Sequence, residues 1–113
     1  RSRGKVVVKS DKGLITQEMI GADLGSRVTL VQFSSAFCSP CRATRMLLED
    51  VTAEMSDVAY VEIDAEANLE LVRTLDIRST PTTLFLDRTG HEVGRAMGAP
   101  KRDQVLSAIS AIR

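Results

Sequence analysis

Cys38 and Cys41 are the only cysteines in the chain, separated by Ser39 and Pro40. A disulfide scaffold spreads several cysteines along a sequence so that they staple distant loops. A single pair this close shuts a very small ring and adds little as a staple. The pair is better read as chemistry: a dithiol that closes to a disulfide as it exchanges with disulfides elsewhere.

What surrounds the pair supports that reading. Upstream, Val28–Ser34 (VTLVQFS) is apolar on both parities and reads as a buried strand. Downstream of Pro40, Leu47, Leu48, Val51 and Met55 recur at helical spacing, with Arg45, Glu49, Asp50 and Glu54 between them. The pair thus sits where a helix starts. Free backbone N–H groups and the helix dipole favour an anion there, and the thiolate is the reactive form of cysteine. Cys38, before the first turn, is expected to be the exposed nucleophile, and Cys41, inside it, the more buried resolving thiol. Pro40 suits the first turn because its missing N–H would have no partner there. It also stiffens the loop between the sulfurs. Two other readings stand beside this one. A structural zinc site needs about four ligands; here there are two cysteines and His91, the one histidine, near a predicted turn. An inert buried pair is the third, and the loop-to-helix position argues against it.

The elements that must position the pair follow from the rest of the pattern. Lys5–Lys9 reads as a first strand. Thr16 caps a short helix expected to end near Gly25, with Met19, Ile20 and Leu24 on its apolar face. Val58–Asp64 is a strand, and Ala67–Leu75 a helix with Leu69, Val72 and Leu75 on one side. Thr82–Asp87 and His91–Met97 are the arms of a hairpin turning at Arg88-Thr89-Gly90. Val105, Leu106, Ile109 and Ile112 mark a closing amphipathic helix. This α/β alternation followed by a hairpin predicts a mixed central sheet of about five strands with helices on both faces.

The 113 residues fit one domain, with a basic tail and first strand over 1–13 and the remainder over 14–113. Fifteen basic residues balance fifteen acidic ones, which gives no support for a nucleic-acid or polyanion binder. No apolar run approaches the ~18 residues of a membrane span. The chain opens on Arg1, and Arg1, Arg3 and Lys5 make its start basic. We read these as a solvated tail on a cytoplasmic protein. The alternative is the flank of a membrane anchor upstream.

Leu30-Val31-Gln32-Phe33-Ser34 followed by Phe37-Cys38-Ser39-Pro40-Cys41-Arg42 resembles the active-site segment of the thioredoxin family. Val61-Glu62-Ile63-Asp64 resembles the family's next strand, and Thr80-Pro81-Thr82 its proline loop, in which the proline is cis. Gly90 and Gly98 fall where the family has its hairpin turn and a groove-lining glycine. The resemblance runs from about Leu14 to Ile112 and implies the thioredoxin fold.

The resemblance also implies roles. Thr80 would offer its backbone to an incoming peptide strand, and Pro81 would face the Cys38 sulfur and keep metals away. Phe37, Thr80, Pro81, Gly98 and Ala99 would form a shallow substrate groove. Ser39, Pro40, Gln32 and Pro81 would tune the redox pair. The sequence departs from the family at four places: Phe37 stands for Trp, Ser39 for Gly, Gln32 for a buried Asp, and Tyr60 for its Lys partner. The expected activity is thiol–disulfide exchange with protein partners, in the reducing direction, by a monomer without metal or cofactor, reset by an upstream dithiol reductase. The alternatives are a membrane-anchored extracytoplasmic dithiol carrier and a non-catalytic docking module of the same fold.

Overall fold

The computed structural model describes Val6–Val7 and residues 13–113. Its strands are β1 (Val6–Val7), β2 (Val28–Ser34), β3 (Val58–Asp64), β4 (Thr82–Leu86) and β5 (Glu92–Met97). They form one mixed sheet in the order β1-β5-β4-β2-β3. β2 runs parallel to β3 and antiparallel to β4, and β4–β5 is the antiparallel hairpin. All seven residues of β2 are buried, as an apolar run flanked by two strands and covered on both faces must be. The helices are α1 (Gln17–Ile20), α2 (Ser39–Thr52), α3 (Leu69–Thr74) and α4 (Arg102–Ser110).

Alternation along β2 divides the core in two. Val28 and Leu30 join Leu48 and Val51 of α2 and Val105 and Ile109 of α4 on one face. Val31 and Phe33 join Ile20, Ile63, Ile77 and Leu84 on the other, where Leu71 and Val72 of α3 pack. Gln32 has the parity of Val28 and Leu30, so it points towards α2. The end of β2 therefore delivers the chain to the start of α2 with a polar side chain directly beneath it.

Several expected boundaries move, each for a local reason. The helix expected to run from Thr16 to Gly25 is one turn long. Thr16 does cap it, accepting the Met19 amide at 3.2 Å, but Gly21 ends it in the left-handed region (φ 68°). Gly25 serves a different purpose: a Cβ there would lie 2.2 Å from the Val28 carbonyl oxygen and 2.8 Å from the Ala59 nitrogen. The helix expected over Ala67–Leu75 is broken into a 3-10 turn (Ala65–Ala67) and α3. Asn68 interrupts it, its side chain donating to the Asp64 carbonyl at 2.9 Å while the Asp64 carboxylate takes the Glu66 amide. Leu69 is consequently exposed. Leu106, expected in the core, is also exposed, because α4 turns Val105 and Ile109 inward instead, with Ile112 buried just beyond its end. The helix after the cysteines begins one residue early, at Ser39. β4 and β5 are each one residue shorter than expected, and His91 makes an isolated bridge to Leu14. Of the expected first strand, only Val6 and Val7 fall within the described residues. Among those residues no helix is long and apolar enough to cross a membrane.

Candidate active site

Cys38 is the N-cap of α2. Its carbonyl accepts the Cys41 and Arg42 amides at 3.1 and 3.2 Å, and its Sγ accepts the Cys41 amide at 3.2 Å. A sulfur at that point meets the Cys41 amide, which it shares with the Cys38 carbonyl, and the positive end of the helix, both of which favour the thiolate when the pair is reduced. No acidic residue occupies the first turn to oppose this. Pro40 lies in that turn, and Arg42 donates to the Ser39 hydroxyl at 3.3 Å across it. The structure has the pair closed as a Cys38–Cys41 disulfide with the Cα atoms 5.2 Å apart. Cys38 is partly exposed, whereas Cys41 is 2% exposed. With limiting iodoacetamide near neutral pH, the reduced protein is expected to be alkylated at Cys38, with Cys41 protected. Peptide mass spectrometry reads this directly, and predominant labelling of Cys41 would reverse the two roles.

The polar group beneath the pair is fully satisfied. Gln32 Nε2 donates to the Cys41 carbonyl at 2.9 Å and to Ser34 Oγ at 3.0 Å, and Gln32 Oε1 accepts from the Tyr60 hydroxyl at 2.6 Å. A carbonyl can only accept, so the amide nitrogen must face Cys41 and the amide oxygen must face Tyr60. Burial, reinforced by the nearby Glu62 and Glu49 charges, pushes the Tyr60 phenol well above its ordinary range, so it remains a donor. Gln32 and Tyr60, the two departures noted in the sequence, are therefore partners. Together they give Cys41 a neutral, non-titrating neighbour.

A second loop meets the first from the side. The Thr80–Pro81 peptide bond is cis. The Thr80 carbonyl oxygen lies 3.9 Å from Cys38 Sγ, and the Thr80 hydroxyl shares a 2.8 Å hydrogen bond with that of Ser35. Gly98 donates its N–H to the Pro81 carbonyl at 2.8 Å, fixing β5 to this loop. Phe37 is 100% exposed with φ 58°, a left-handed conformation that costs a non-glycine residue about 1 kcal/mol or more. The chain turns there to enter the N-cap and leaves the aromatic ring in solvent. Pro81 and Gly98 are buried, Thr80 is partly exposed and Ala99 is exposed. The structure thus brings Cys38, Cys41, Gln32 and Thr80 together, with Phe37 beside them on the chain. Ser35 joins this cluster through its hydrogen bond to Thr80. Its only signal was its place in the Ser34-Ser35 pair at a strand end, which does not say that a hydroxyl will bridge to a loop 45 residues away. Among the described residues no three His, Cys, Asp or Glu side chains are grouped to hold a metal ion.

The family model described as Thioredoxin matches residues 14–111. The chain belongs to the thioredoxin family. It is 31% identical over 101 residues to thioredoxin from Mycolicibacterium smegmatis, covering 85% of this chain and 89% of that one. It is also 31% identical over 88 residues to thioredoxin H2-1 of Oryza sativa subsp. japonica. That alignment takes in 78% of this chain but 62% of the longer rice protein. Among solved structures, thioredoxin from Fasciola hepatica superposes with a TM-score of 0.69 at 26% identity, over 79% of this chain and 84% of that one. As a thioredoxin-family protein with an intact pair, the chain is a thiol–disulfide oxidoreductase acting on protein disulfides through Cys38 and Cys41.

Proposed function

We propose that this thioredoxin-family chain is a cytoplasmic, monomeric reductant of protein disulfides. The observation that carries the reading is the asymmetry of the pair: Cys38 caps α2 with its sulfur on the Cys41 amide, while Cys41 is sealed beneath. Cys38 thiolate attacks one sulfur of a substrate disulfide; a new S–S bond forms and the other substrate sulfur leaves as a thiolate that takes a proton. Cys41 then gives up its proton and attacks Cys38 Sγ, expelling the second substrate thiolate. Two electrons pass to the substrate and the chain is left with the Cys38–Cys41 disulfide. An upstream dithiol reductase returns it to the dithiol. Thr80 pairs its backbone with an extended substrate segment, which lies between the exposed Phe37 and Ala99, with Pro81 and Gly98 forming the buried floor beneath.

Two measurements test the direction. Wild-type protein is expected to accelerate insulin reduction by dithiothreitol, and Cys38→Ser to abolish the acceleration. Equilibration with glutathione buffers should place the pair at about −220 mV or lower, at or below the reducing glutathione poise. A wild type that accelerates insulin reduction no more than Cys38→Ser does, both at the uncatalysed rate, would leave only a docking role. A potential near about −120 mV would make the chain an oxidant instead.

A further inference from the structure

Arg95 is a guanidinium inside the fold. It lies in β5 opposite Leu84, on the face of the sheet that carries α3, and is 5% exposed. Its Nε donates to Glu92 Oε2 at 2.5 Å and its Nη2 to Glu92 Oε1 at 2.8 Å, a two-pronged pairing within one strand. The remaining donors leave the sheet. Nη1 reaches the Asp76 carbonyl at 3.1 Å, and Nη2 reaches the Leu75 carbonyl at 2.9 Å. These carbonyls close α3, where the helix leaves acceptors unpaired and its dipole favours a cation. Asp76 then turns through the left-handed region (φ 57°), and the chain arrives at Thr80 four residues later. Beyond the proline, Gly98, the residue that follows β5, ties down the Pro81 carbonyl at 2.8 Å.

We infer that Arg95, held by Glu92, is a positioning residue for protein substrates: it fixes the entry of the Thr80–Pro81 loop while Gly98, three residues on, fixes its exit. A substrate strand that pairs with the Thr80 backbone needs that loop in one place. A small disulfide that touches only Cys38 does not. The inference rests on the reading of Thr80 given above. Arg27 supplies an internal comparison. It bonds the Ile109 and Ile112 carbonyls at the end of α4 at 3.0 and 2.6 Å and pairs with Asp57, remote from the loop. A lock that merely holds the fold together would behave like Arg27.

The experiment is steady-state turnover with three disulfides: an extended peptide disulfide, the same peptide N-methylated along its backbone, and dithiobis(nitrobenzoate). Arg95→Met strands the Glu92 carboxylate, so the paired variant Arg95→Met/Glu92→Gln is run beside it. With the peptide, both are expected to raise KM about tenfold, the equivalent of one backbone hydrogen bond, with kcat changed by less than about twofold. Turnover of dithiobis(nitrobenzoate) should be unchanged, and Arg95→Lys should recover part of the peptide KM. Arg27→Met should lower the melting temperature and leave the peptide KM alone. An unchanged peptide KM in the folded paired variant overturns the inference, as does equal loss with both kinds of disulfide or the same KM rise in Arg27→Met. If the wild type does not discriminate against the N-methylated peptide, the Thr80 reading falls and the inference falls with it. If it does discriminate and the Arg95 variants keep the wild-type KM, the inference fails alone.

Discussion

Cys41→Ser is expected to stop multiple turnover while leaving Cys38 covalently joined to client proteins. Cys38 keeps its helix-cap position, its exposure and the Cys41-position amide on its sulfur, so the first exchange proceeds. The second has no attacking thiolate, and a serine hydroxyl at neutral pH does not cleave a disulfide. The loss should be on the order of a thousandfold or more, the scale seen when one member of a reacting unit is removed. Non-reducing electrophoresis after mixing the variant with oxidised protein should show adducts that dithiothreitol dissolves and that Cys38→Ser does not form. Retained turnover would mean that an external thiol resolves the intermediate. The absence of adducts across several cell fractions would return the chain to a docking role.

Gln32→Asp should accelerate the resolving step. As the chain stands, Cys41 has an amide donor at its carbonyl and a neutral phenol beyond, neither of which accepts a proton in the working pH range. A carboxylate placed there would be a general base beside the thiol, worth about a hundredfold. Residue 32 is fully buried, so the new acid should titrate above the ordinary carboxylate range. The rate in the variant should climb as pH rises through that raised value. Its stability should run the opposite way. The folded state then holds a proton that the unfolded state has released, so stability falls as pH rises from the ordinary carboxylate value to the raised one. Stopped-flow decay of a preformed Cys38 mixed disulfide, with thermal melts across the same pH range, reads both. A folded variant with the wild-type rate and profile would show that proton removal from Cys41 never limits the step.

Much of this was legible in the residues. β2 and β3 have the boundaries the sequence predicts, because an apolar run and an alternating one each admit a single reading as strands. The start of α2 and the unequal cysteines were legible because a helix N-terminus treats its first and fourth residues differently. What escaped depended on partners distant in sequence. The end of α1 turned on which of Gly21 and Gly25 adopts the left-handed region, and only the approach of Val28 and Ala59 shows what Gly25 is for. Asn68 breaks the expected helix just before Leu69, Val72 and Leu75, and their helical spacing carries no sign of the break. Arg95 reads in sequence as one charge in a strand. Its inward parity becomes informative only once the end of α3 is known to lie above it.

The cap that makes Cys38 a ready nucleophile has another side. A thiolate stabilised by the Cys41 amide is also a good leaving group. In the mixed disulfide, a departing substrate thiolate can return, attack its own former sulfur and expel Cys38, undoing the first exchange. The intermediate therefore partitions between reversal and completion. Chemical affinity alone tilts it backwards more readily the better the cap works. What sends it forward is proximity: Cys41 lies one helical turn away, with 5.2 Å between the Cα atoms, at an effective concentration no free thiol in solution reaches. The short spacer thus acts as a commitment device, and lengthening it by a residue would return clients unreduced without touching either sulfur.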